Sequence, residues 1–415
     1  MFRRSLAVLL LFAFVAPTAL AGESDFAAWA RSRAVPIDTS GNAFRSLDAE
    51  IKRAQLIGMG ESVHESEPFL SYRVQFLKDL IQRHRVTALI FESGLAEAME
   101  LDDYLLGRIA TVDYVRALPG GFANLTEIRN AMEWIREWNR GPGRTRPVHA
   151  YGADVPARQA SMVPALDRLQ ELTADRPDIR PVIEALRPTA VQASAPWFRP
   201  AQEKYDALPA DARSAWARDV DRLVREIGLL KEGAPDRREW AHRVAIVAQQ
   251  YEAMQRLGGF SPTAPRDLAM ADNAMWILGR LGRGERAVYW AHNAHVQRVP
   301  VTGPSLPPGR FPSTGTRLGR ALGRKYFAIG TAYGGPARDD SSSVARDSID
   351  AALGAAAAGP FLLSLRGKAA PAVATWLSEE RPMRFQVKHL MVPLGKAFDA
   401  VAYFDGASAA ARIKE

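Results

Sequence analysis

Short apolar runs alternate with longer amphipathic stretches along most of this chain, and turn residues separate them. The runs at residues 56–57 and 88–91 have the length and flanks of buried strands, and apolar residues recur at helical spacing from Phe69 to Ile81 between them. A strand, a helix and a second strand in succession form the unit of a parallel sheet. Further strand-like runs occur at residues 147–151, 287–290, 326–331, 361–365 and 400–404. The pattern therefore predicts an α/β fold with a mostly parallel central sheet flanked by helices.

The segment from residue 156 to residue 285 has a different pattern, because helical spacing replaces the strand-like runs. Its two clearest apolar stripes, at residues 216–230 and 240–254, predict an antiparallel helical hairpin. We expect this segment to be a helical insertion between the third and fourth strands that covers the site. The sheet domain would then consist of residues 22–155 and 286–415.

The first 21 residues have the pattern of a cleavable export signal. Arg3 and Arg4 precede an apolar stretch at residues 6–16, and residues 19–21 form an Ala-Leu-Ala cleavage site. No later stretch approaches the ~20 consecutive apolar residues that span a bilayer. We therefore expect cleavage after Ala21 and a periplasmic or secreted protein without a membrane span.

Composition narrows the chemistry that is available to the chain. Its 415 residues include no cysteine, which excludes disulfides, thiolate catalysis and cysteine-ligated metal. Hydrophobic residues make up 47%, enough for a large core without disulfides. The formal net charge is +8, or +8 − 2 = +6 without Arg3 and Arg4, and no nucleic-acid-binding motif or continuous basic run is present. We expect no nucleic-acid partner and, in the absence of a phosphate-binding or dinucleotide motif, no cofactor; the oligomeric state is open.

Polar side chains follow the first two predicted strands. Glu61 and His64 lie in the loop after the first strand, and Glu92 closes the second. Ligands of parallel sheets bind beyond the carboxyl ends of the strands, and Gly58 and Gly60 would allow a sharp turn there. A carboxylate beside an imidazole can orient it as a general base. The alternative is a surface loop with two unrelated charged groups.

The same arrangement recurs after later strands. Asp154 follows the third strand, although it could equally be the N-cap of the next helix. His292 and His295 stand three residues apart just past the fourth strand. Because the chain has only seven histidines, two of them in this position favour a functional role over two buried structural imidazoles.

Five short motifs, in chain order, resemble those of the erythromycin esterase family. They are Gly-Met-Gly-Glu-Ser-Val-His at 58–64, Phe-Glu at 91–92, Tyr-Gly-Ala-Asp at 151–154, Arg-Asp-Leu-Ala-Met-Ala-Asp-Asn at 266–273 and Tyr-Trp-Ala-His-Asn-Ala-His at 289–295. A Phe-Asp-Ala-Val segment at 398–401 is also similar. The resemblance extends over most of the chain, and the joint occurrence of the first and fifth motifs makes it specific.

The resemblance implies an enzyme that hydrolyses carboxylic esters or lactones, in some relatives the macrolactone of erythromycin, by a metal-free mechanism in which a histidine activates water. It implies that His64 is the general base, Glu61 the carboxylate beside it and Glu92 a second essential acid. His292 would be the histidine that faces Glu92 across the cleft. The candidates for substrate binding are Arg73, His295 and Asp154.

General chemistry agrees with these roles. Ester hydrolysis needs an activated water and a group that stabilises the oxyanion of the tetrahedral intermediate. A neutral His64 can supply the first, and an imidazolium or Arg73 can supply the second. No serine lies in a Gly-x-Ser-x-Gly segment, so the sequence does not support a serine esterase. For Arg73, a solvated position on the helix surface is the alternative.

Two departures and two rival functions stay open at this point. Glu65 follows the first histidine where relatives often have a small residue, and export would separate the protein from the ribosomes that macrolides attack. Both features argue against erythromycin as the natural substrate. One rival is a metal-dependent hydrolase that uses the same glutamates and histidines as ligands. The other is a non-catalytic envelope protein that binds heme, metal or polysaccharide in the same cleft.

Overall fold

The protein is represented by a computed structural model that describes residues 17–118, 120–156, 160–258, 265–335, 344–386 and 388–413. The strands in these residues are β1 (Val35–Pro36), β2 (Leu56–Met59), β3 (Val86–Gly94), β4 (His149–Asp154), β5 (Arg286–Trp290), β6 (Tyr326–Tyr333), β7 (Phe361–Ser364), β8 (Glu380–Phe385), β9 (Lys388–Pro393) and β10 (Ala400–Phe404).

The helices before β5 are α1 (Pro17–Arg31), α2 (Asn42–Arg45), α3 (Asp48–Ile51), α4 (Glu67–His84), α5 (Leu95–Leu105), α6 (Tyr114–Ala117), α7 (Thr126–Arg140), α8 (Val163–Leu172), α9 (Arg180–Gln192), α10 (Phe198–Asp206), α11 (Ala210–Gly228), α12 (Pro235–Arg256) and α13 (Arg266–Leu278). After β5 follow α14 (Asn293–Val296), α15 (Thr314–Leu322), α16 (Ile349–Gly354), α17 (Pro371–Ser378) and α18 (Leu394–Ala397). Short 3-10 helices lie at Gly120–Asn124 and Gly323–Lys325.

Eight strands form one sheet in the order β1-β7-β10-β6-β2-β5-β3-β4. Every neighbouring pair from β10 to β4 is parallel, whereas β7 runs antiparallel to β10 and β1 antiparallel to β7. The predicted α/β fold with a mostly parallel sheet flanked by helices is therefore confirmed. The separate antiparallel hairpin of β8 and β9 was not expected, because Pro382 and the charged residues around it interrupt its apolar pattern.

Both faces of the sheet are covered, which explains why its strands are continuous apolar runs. In β3, Leu89 and Phe91 belong to the core on one face, and Ala88 and Ile90 belong to the core on the other. Alternate side chains of a strand point to opposite faces, so a strand buried on both sides needs apolar residues at every position. Polar chemistry is consequently confined to the ends of the strands.

Helices α8–α13 follow β4 and precede β5 in the chain. Helices α8–α12 share a third core with α5, whereas α13 contributes Met270 and Ile277 to a core of the sheet. The position of these helices in the sequence agrees with the predicted segment 156–285. Its separation from the sheet domain as an insertion that covers the site stays a prediction.

The predicted export signal lies mostly outside the described residues, which begin at Pro17. Helix α1 continues through the expected cleavage position after Ala21, and its Phe26 ring stacks on Trp376 with a centroid distance of 3.6 Å. Export therefore stays a prediction. None of the described helices is long and apolar enough to cross a membrane. A serine-rich loop expected at residues 341–343 also lies outside the described part of the chain.

Candidate active site

The candidate residues follow strands that are neighbours in the sheet, in the order β2-β5-β3-β4. Glu61 and His64 follow β2, His292 follows β5, Glu92 lies near the end of β3, and Asp154 ends β4. Because these strands are parallel, their carboxyl ends meet at one edge of the sheet. The fold thus brings together residues that are up to 231 positions apart in the sequence (292 − 61).

The glycines of the first motif serve close packing rather than the sharp turn expected from the sequence. Gly58 lies inside β2, and neither it nor Gly60 has a positive φ. A side chain at Gly60 would overlap the amide of Asn293, and one at Gly58 would overlap Tyr326. The turn itself comes later, at residues 62–65, whereas positions 58 and 60 lack room for a Cβ atom.

Asn293, which sequence reasoning did not assign, joins three of the strand ends. Its backbone N–H donates to the Glu61 carbonyl (2.7 Å), and its side chain donates to the Thr331 carbonyl (2.8 Å). The side-chain oxygen also accepts from the Thr331 N–H (3.1 Å). The residue is 4% exposed, so this amide sets the relative positions of the loops that carry Glu61 and His292.

Glu61, His64 and Arg73 form a first group, here called the His64 cluster. His64 Nδ1 lies 2.6 Å from Glu61 Oε1, and Arg73 Nη1 lies 2.5 Å from Glu61 Oε2. Arg73 also donates to the Met59 carbonyl (3.0 Å), and its guanidinium lies 4.0 Å from the centroid of the Trp290 ring. The carboxylate of Glu61 therefore bridges a fixed cation and an imidazole.

The members of the His64 cluster differ sharply in exposure. The side chains of Arg73 and Glu61 are 0% and 1% exposed, whereas that of His64 is 41% exposed. The alternative of a solvated Arg73 is therefore wrong: the helix places it on the buried face of α4, four residues from both Phe69 and Leu77. Desolvation lowers the pKa of Arg73 to about 10, which leaves it charged at neutral pH.

The Glu61 carboxylate determines the basicity of His64. Desolvation acts to lower the pKa of His64, but the hydrogen bond to Glu61 and the negative charges of Glu61 and Glu92 outweigh it, so that the pKa is raised above its ordinary value. Because Glu61 occupies Nδ1, Nε2 is the ring nitrogen that remains for a proton from water.

His292 lies against His64, with ring centroids 5.1 Å apart. Its Nδ1 accepts from the Ala294 N–H (3.2 Å), so its Nε2 must carry the hydrogen that is donated to the Ser62 carbonyl (3.0 Å). Desolvation and the neighbouring His64 hold the pKa of His292 well below its ordinary value. His292 is thus a neutral imidazole that uses both nitrogens within the protein.

A second group, here called the Arg266 cluster, consists of Glu92, Asp154, Arg266, Asp267 and His295. Arg266 donates to Glu92 Oε1 (2.9 Å) and, through Nε, to both oxygens of Asp154 (3.1 Å each). His295 Nδ1 lies 2.8 Å from Asp267 Oδ1, and its Nε2 lies 3.4 Å from Glu92 Oε1. His295 and Arg266 thus alternate with three carboxylates. The order is Asp267, His295, Glu92, Arg266 and Asp154.

Charge pairing dominates the electrostatics of the Arg266 cluster. Desolvation opposes the charge of His295, but Asp267 and Glu92 raise its pKa to about 9. Although desolvation raises the pKa of Glu92, His295 and Arg266 hold it far below its usual range. Burial raises the pKa of Asp154 despite its contact with Arg266. Near neutral pH, His295 is therefore an imidazolium and Glu92 a carboxylate.

The structure places two expected residues differently from the sequence-based picture. The imidazole that faces Glu92 is that of His295, whereas His292 contributes its backbone N–H to Glu92 Oε2 (3.0 Å). Asp154 is completely buried and pairs with Arg266, and α8 begins only at Val163. Asp154 therefore has no described helix to cap.

Sequence reasoning missed the roles of Arg266 and Asp267, which lie in the fourth of the quoted motifs. Both stand at the start of α13, directly after Pro265. The available signal was an Arg-Asp pair directly after Pro265, at the start of a predicted helix. Nothing local indicated which strand ends they would meet.

The described residues include no group of three or more His, Cys, Asp or Glu side chains arranged to hold a metal ion. The Arg266 guanidinium lies between Glu92 and Asp154, the position where a cation is needed to balance them. His292 and His295 each use Nδ1 within the protein. These donors are thus engaged with protein partners, whereas Nε2 of His64 is left for water.

The family relationship rests on comparison with known proteins. The erythromycin esterase family model matches residues 81–407, which is most of the chain. The chain belongs to the erythromycin esterase family. The matched region begins within α4, so Glu61, His64 and Arg73 precede it and their roles depend on the geometry described above.

A sequence relative and a solved structure are consistent with this family membership. An erythromycin esterase type II from Escherichia coli is 23% identical over 337 residues, which cover 75% of this chain and 78% of the relative. A solved mutant of the erythromycin esterase EreC in its open conformation superposes with a TM-score of 0.73 at 19% identity and covers 90% of this chain and 96% of that one.

A solved succinoglycan biosynthesis protein has the same fold, with a TM-score of 0.78 at 19% identity and coverage of 95% and 99% of the two chains. At such identities the structural likeness shows the fold alone. Membership of the family suggests a hydrolase that acts on esters.

Proposed function

We propose that this member of the erythromycin esterase family hydrolyses carboxylic esters or lactones, with His64 as the general base that activates water and without a metal ion. The observation that carries the proposal is the contrast within the His64 cluster. A buried Glu61 holds Nδ1 of a ring whose side chain is 41% exposed, which leaves Nε2 as the nitrogen that can take a proton from water. This is the arrangement of an oriented and accessible base.

The reaction then follows from the proton that His64 receives. Nε2 takes a proton from water as the water oxygen bonds to the carbonyl carbon of the substrate and the carbonyl electron pair moves to oxygen. When the tetrahedral intermediate collapses, the bond from carbon to the alkoxy oxygen breaks. The imidazolium of His64 returns the proton to that oxygen, and the products are a carboxylic acid and an alcohol.

The Arg266 cluster supplies the charges that we propose to stabilise the oxyanion of the intermediate. It lies next to the base, because His292 packs its ring against His64 and donates its N–H to Glu92. The positive charges of His295 and Arg266 can stabilise a developing oxyanion in a buried site from which water is largely excluded. We propose that Asp154 and Glu92 fix these cations and that Arg73 fixes Glu61.

The aromatic rings beside His64 and His292 favour a substrate with apolar surface. Phe122 meets the His64 ring edge to face at 5.9 Å, and Phe385 of the β8–β9 hairpin meets the His292 ring at 4.5 Å. Such aromatic surfaces accommodate aliphatic esters and lactone rings. If the protein is exported, as its N-terminal pattern predicts, its location argues against erythromycin as the natural substrate.

The experiment is the release of acid in a pH-stat from a panel of esters and lactones, with and without chelator. The wild-type chain should hydrolyse at least one member in chelator, and His64→Ala should lower kcat by about 10²–10⁴-fold, the usual contribution of a general base. His242→Ala, a change to a partly exposed histidine of α12, is the matched control and should stay within about twofold of wild type.

Each other outcome has a defined meaning. Loss of wild-type hydrolysis in chelator, restored by a divalent ion, would replace the proposal by the metal-dependent hydrolase. Full activity of His64→Ala would remove His64 as the base. Stoichiometric binding of a panel member without product would favour the non-catalytic envelope protein.

A further inference from the structure

The last described residues of the chain form a strap over the turn that carries His64. This C-terminal strap, residues 407–413, pairs on one side with the start of α4. The Glu67 N–H donates to the Ser408 carbonyl (2.8 Å), and the Ala410 N–H donates to the Glu65 carbonyl (2.9 Å). The residues directly after His64 are thus held by backbone bonds from the opposite end of the sequence.

The other side of the C-terminal strap pairs with the segment that carries Phe122. The Thr126 N–H donates to the Ala411 carbonyl (3.0 Å), and the Ile413 N–H donates to the Asn124 carbonyl (2.9 Å). The strap therefore joins the two segments that border the exposed ring of His64.

One ion pair fastens this arrangement at the residue next to the proposed base. The carboxylate of Glu65 pairs with Arg412, and it lies so close to Gly121 that any side chain at position 121 would overlap it. The side chains of Glu65 and Arg412 are 17% and 42% exposed. Glu65 is thus held between the strap and the segment that carries Phe122.

The backbone conformation of Glu65 is unfavourable by itself and must be held by surrounding interactions. Its φ is +59°, in the left-handed region that residues other than glycine and asparagine rarely adopt. Strain of this kind persists only where surrounding interactions determine the conformation. Here those interactions are the bonds from the strap and the pair with Arg412, and the strained residue is the neighbour of His64.

We propose that Glu65 and Arg412 are positioning residues, which hold the turn of His64 at a fixed distance from Glu61 through the C-terminal strap. The inference rests on the proposed function of His64 as a base, but it concerns residues that touch neither the reacting atoms nor Glu61.

The test is a double-mutant cycle of Glu65→Gln, Arg412→Gln and the double variant, with Arg412→Lys as the conservative replacement. Each single change should lower kcat by about tenfold with KM within about twofold, because a small displacement of a catalytic group affects the chemical step more than binding. The double variant should be no worse than either single variant, since the pair acts as a unit, and Arg412→Lys should restore most of the rate.

The titration of His64 by NMR distinguishes positioning from a direct charge effect and needs no substrate. Removal of the Arg412 cation would raise the pKa of a nearby histidine if only charge mattered. If the strap positions His64, Arg412→Gln weakens the bond to Glu61, and the pKa of His64 falls toward its ordinary value. Hydrogen exchange at the Glu67 and Ala410 amides should become faster in the same variant.

The outcomes separate this inference from the proposed function. If no ester is hydrolysed but the pKa of His64 falls and exchange quickens in Arg412→Gln, the strap positions His64 while the assigned reaction is wrong. An unchanged or raised pKa of His64 in Arg412→Gln overturns the positioning role, whatever the activity. Arg222→Gln, which removes an exposed pair within α11, controls for general charge effects and should change neither readout.

Discussion

The two clusters of the site contain the same residue types, but their histidines differ in exposure and in charge at neutral pH. In the His64 cluster, Glu61 and Arg73 are buried and paired with each other, while the imidazole is exposed and its pKa is raised above the ordinary value by Glu61 and Glu92. In the Arg266 cluster the imidazole of His295 is itself charged at neutral pH, because Asp267 and Glu92 raise its pKa to about 9. A histidine is therefore a base or a fixed cation according to the number of carboxylates it meets and its access to water.

The largest expected effect is a loss of folding stability when Arg266 is replaced. Arg266→Met leaves the buried carboxylates of Glu92 and Asp154 without their shared partner, so we expect the free energy of unfolding to fall by about 3–5 kcal/mol. Chemical denaturation of the full chain measures it. Arg222→Met, which breaks an exposed pair with Glu226, is the control and should cost no more than about 0.5 kcal/mol.

If the free energy of unfolding falls in Arg266→Met by no more than in the control, the carboxylates of Glu92 and Asp154 are solvated. That result would contradict the description of the Arg266 cluster as buried.

The second prediction concerns the proton of the His64 cluster. The base must be neutral, and Glu61 raises its pKa, so Glu61→Gln should move the acid-side limb of kcat/KM to lower pH. The plateau rate should fall by about tenfold, because the imidazolium formed in the reaction loses its counter-charge. The pH profile of the most rapidly hydrolysed ester measures both effects.

Glu67→Gln removes an exposed carboxylate three residues beyond His64 and is the matched control, with no expected shift of the limb. A limb that moves to higher pH in Glu61→Gln would contradict the assignment of Glu61 as the group that sets the basicity of His64.

The smallest effect tests the charge of the second cluster. His295 is charged below its pKa of about 9 and owes that value largely to Asp267. In Asp267→Asn the pKa falls, so the basic-side limb of kcat/KM should move to lower pH, while the rate at neutral pH changes by less than about threefold. Profiles across the neutral to alkaline range measure the shift.

Asp272→Asn, on the same helix and paired with Arg243, should leave that limb in place. If the limb does not move in Asp267→Asn, the charge of His295 has no part in the reaction, and the Arg266 cluster is a structural group only.

The parts of the site that local sequence could predict are those built from neighbours in the chain. Glu61 and His64 are three residues apart, and the proximity of their side chains was inferred from that spacing and the preceding strand. Arg73 lies on the same face of α4 as Phe69 and Leu77, so helical spacing already contained the evidence for its burial. Its charge made the solvated alternative plausible, although a buried carboxylate elsewhere could compensate that charge.

The Arg266 cluster could not be predicted in the same way. Its members come from β3, the end of β4, the start of α13 and helix α14, and no spacing along the chain relates these four elements to one another. The pairing of Arg266 with Asp154 in particular depends on the packing of α13 beside β4. The family resemblance implied that His292 faces Glu92, whereas the ring that turns toward Glu92 is that of His295.

By itself, the sequence determined the α/β class, the strand ends at which polar residues gather, and the resemblance that the family match confirms, because these depend on local periodicity and short motifs. Only the tertiary structure decided which acid meets which base, how exposed each ring is and where the C-terminal strap lies. Protonation depends on burial and on charges within a few ångströms, and those distances arise when distant segments pack. Residues of equal type, His64 and His295, acquire different chemistry for that reason alone.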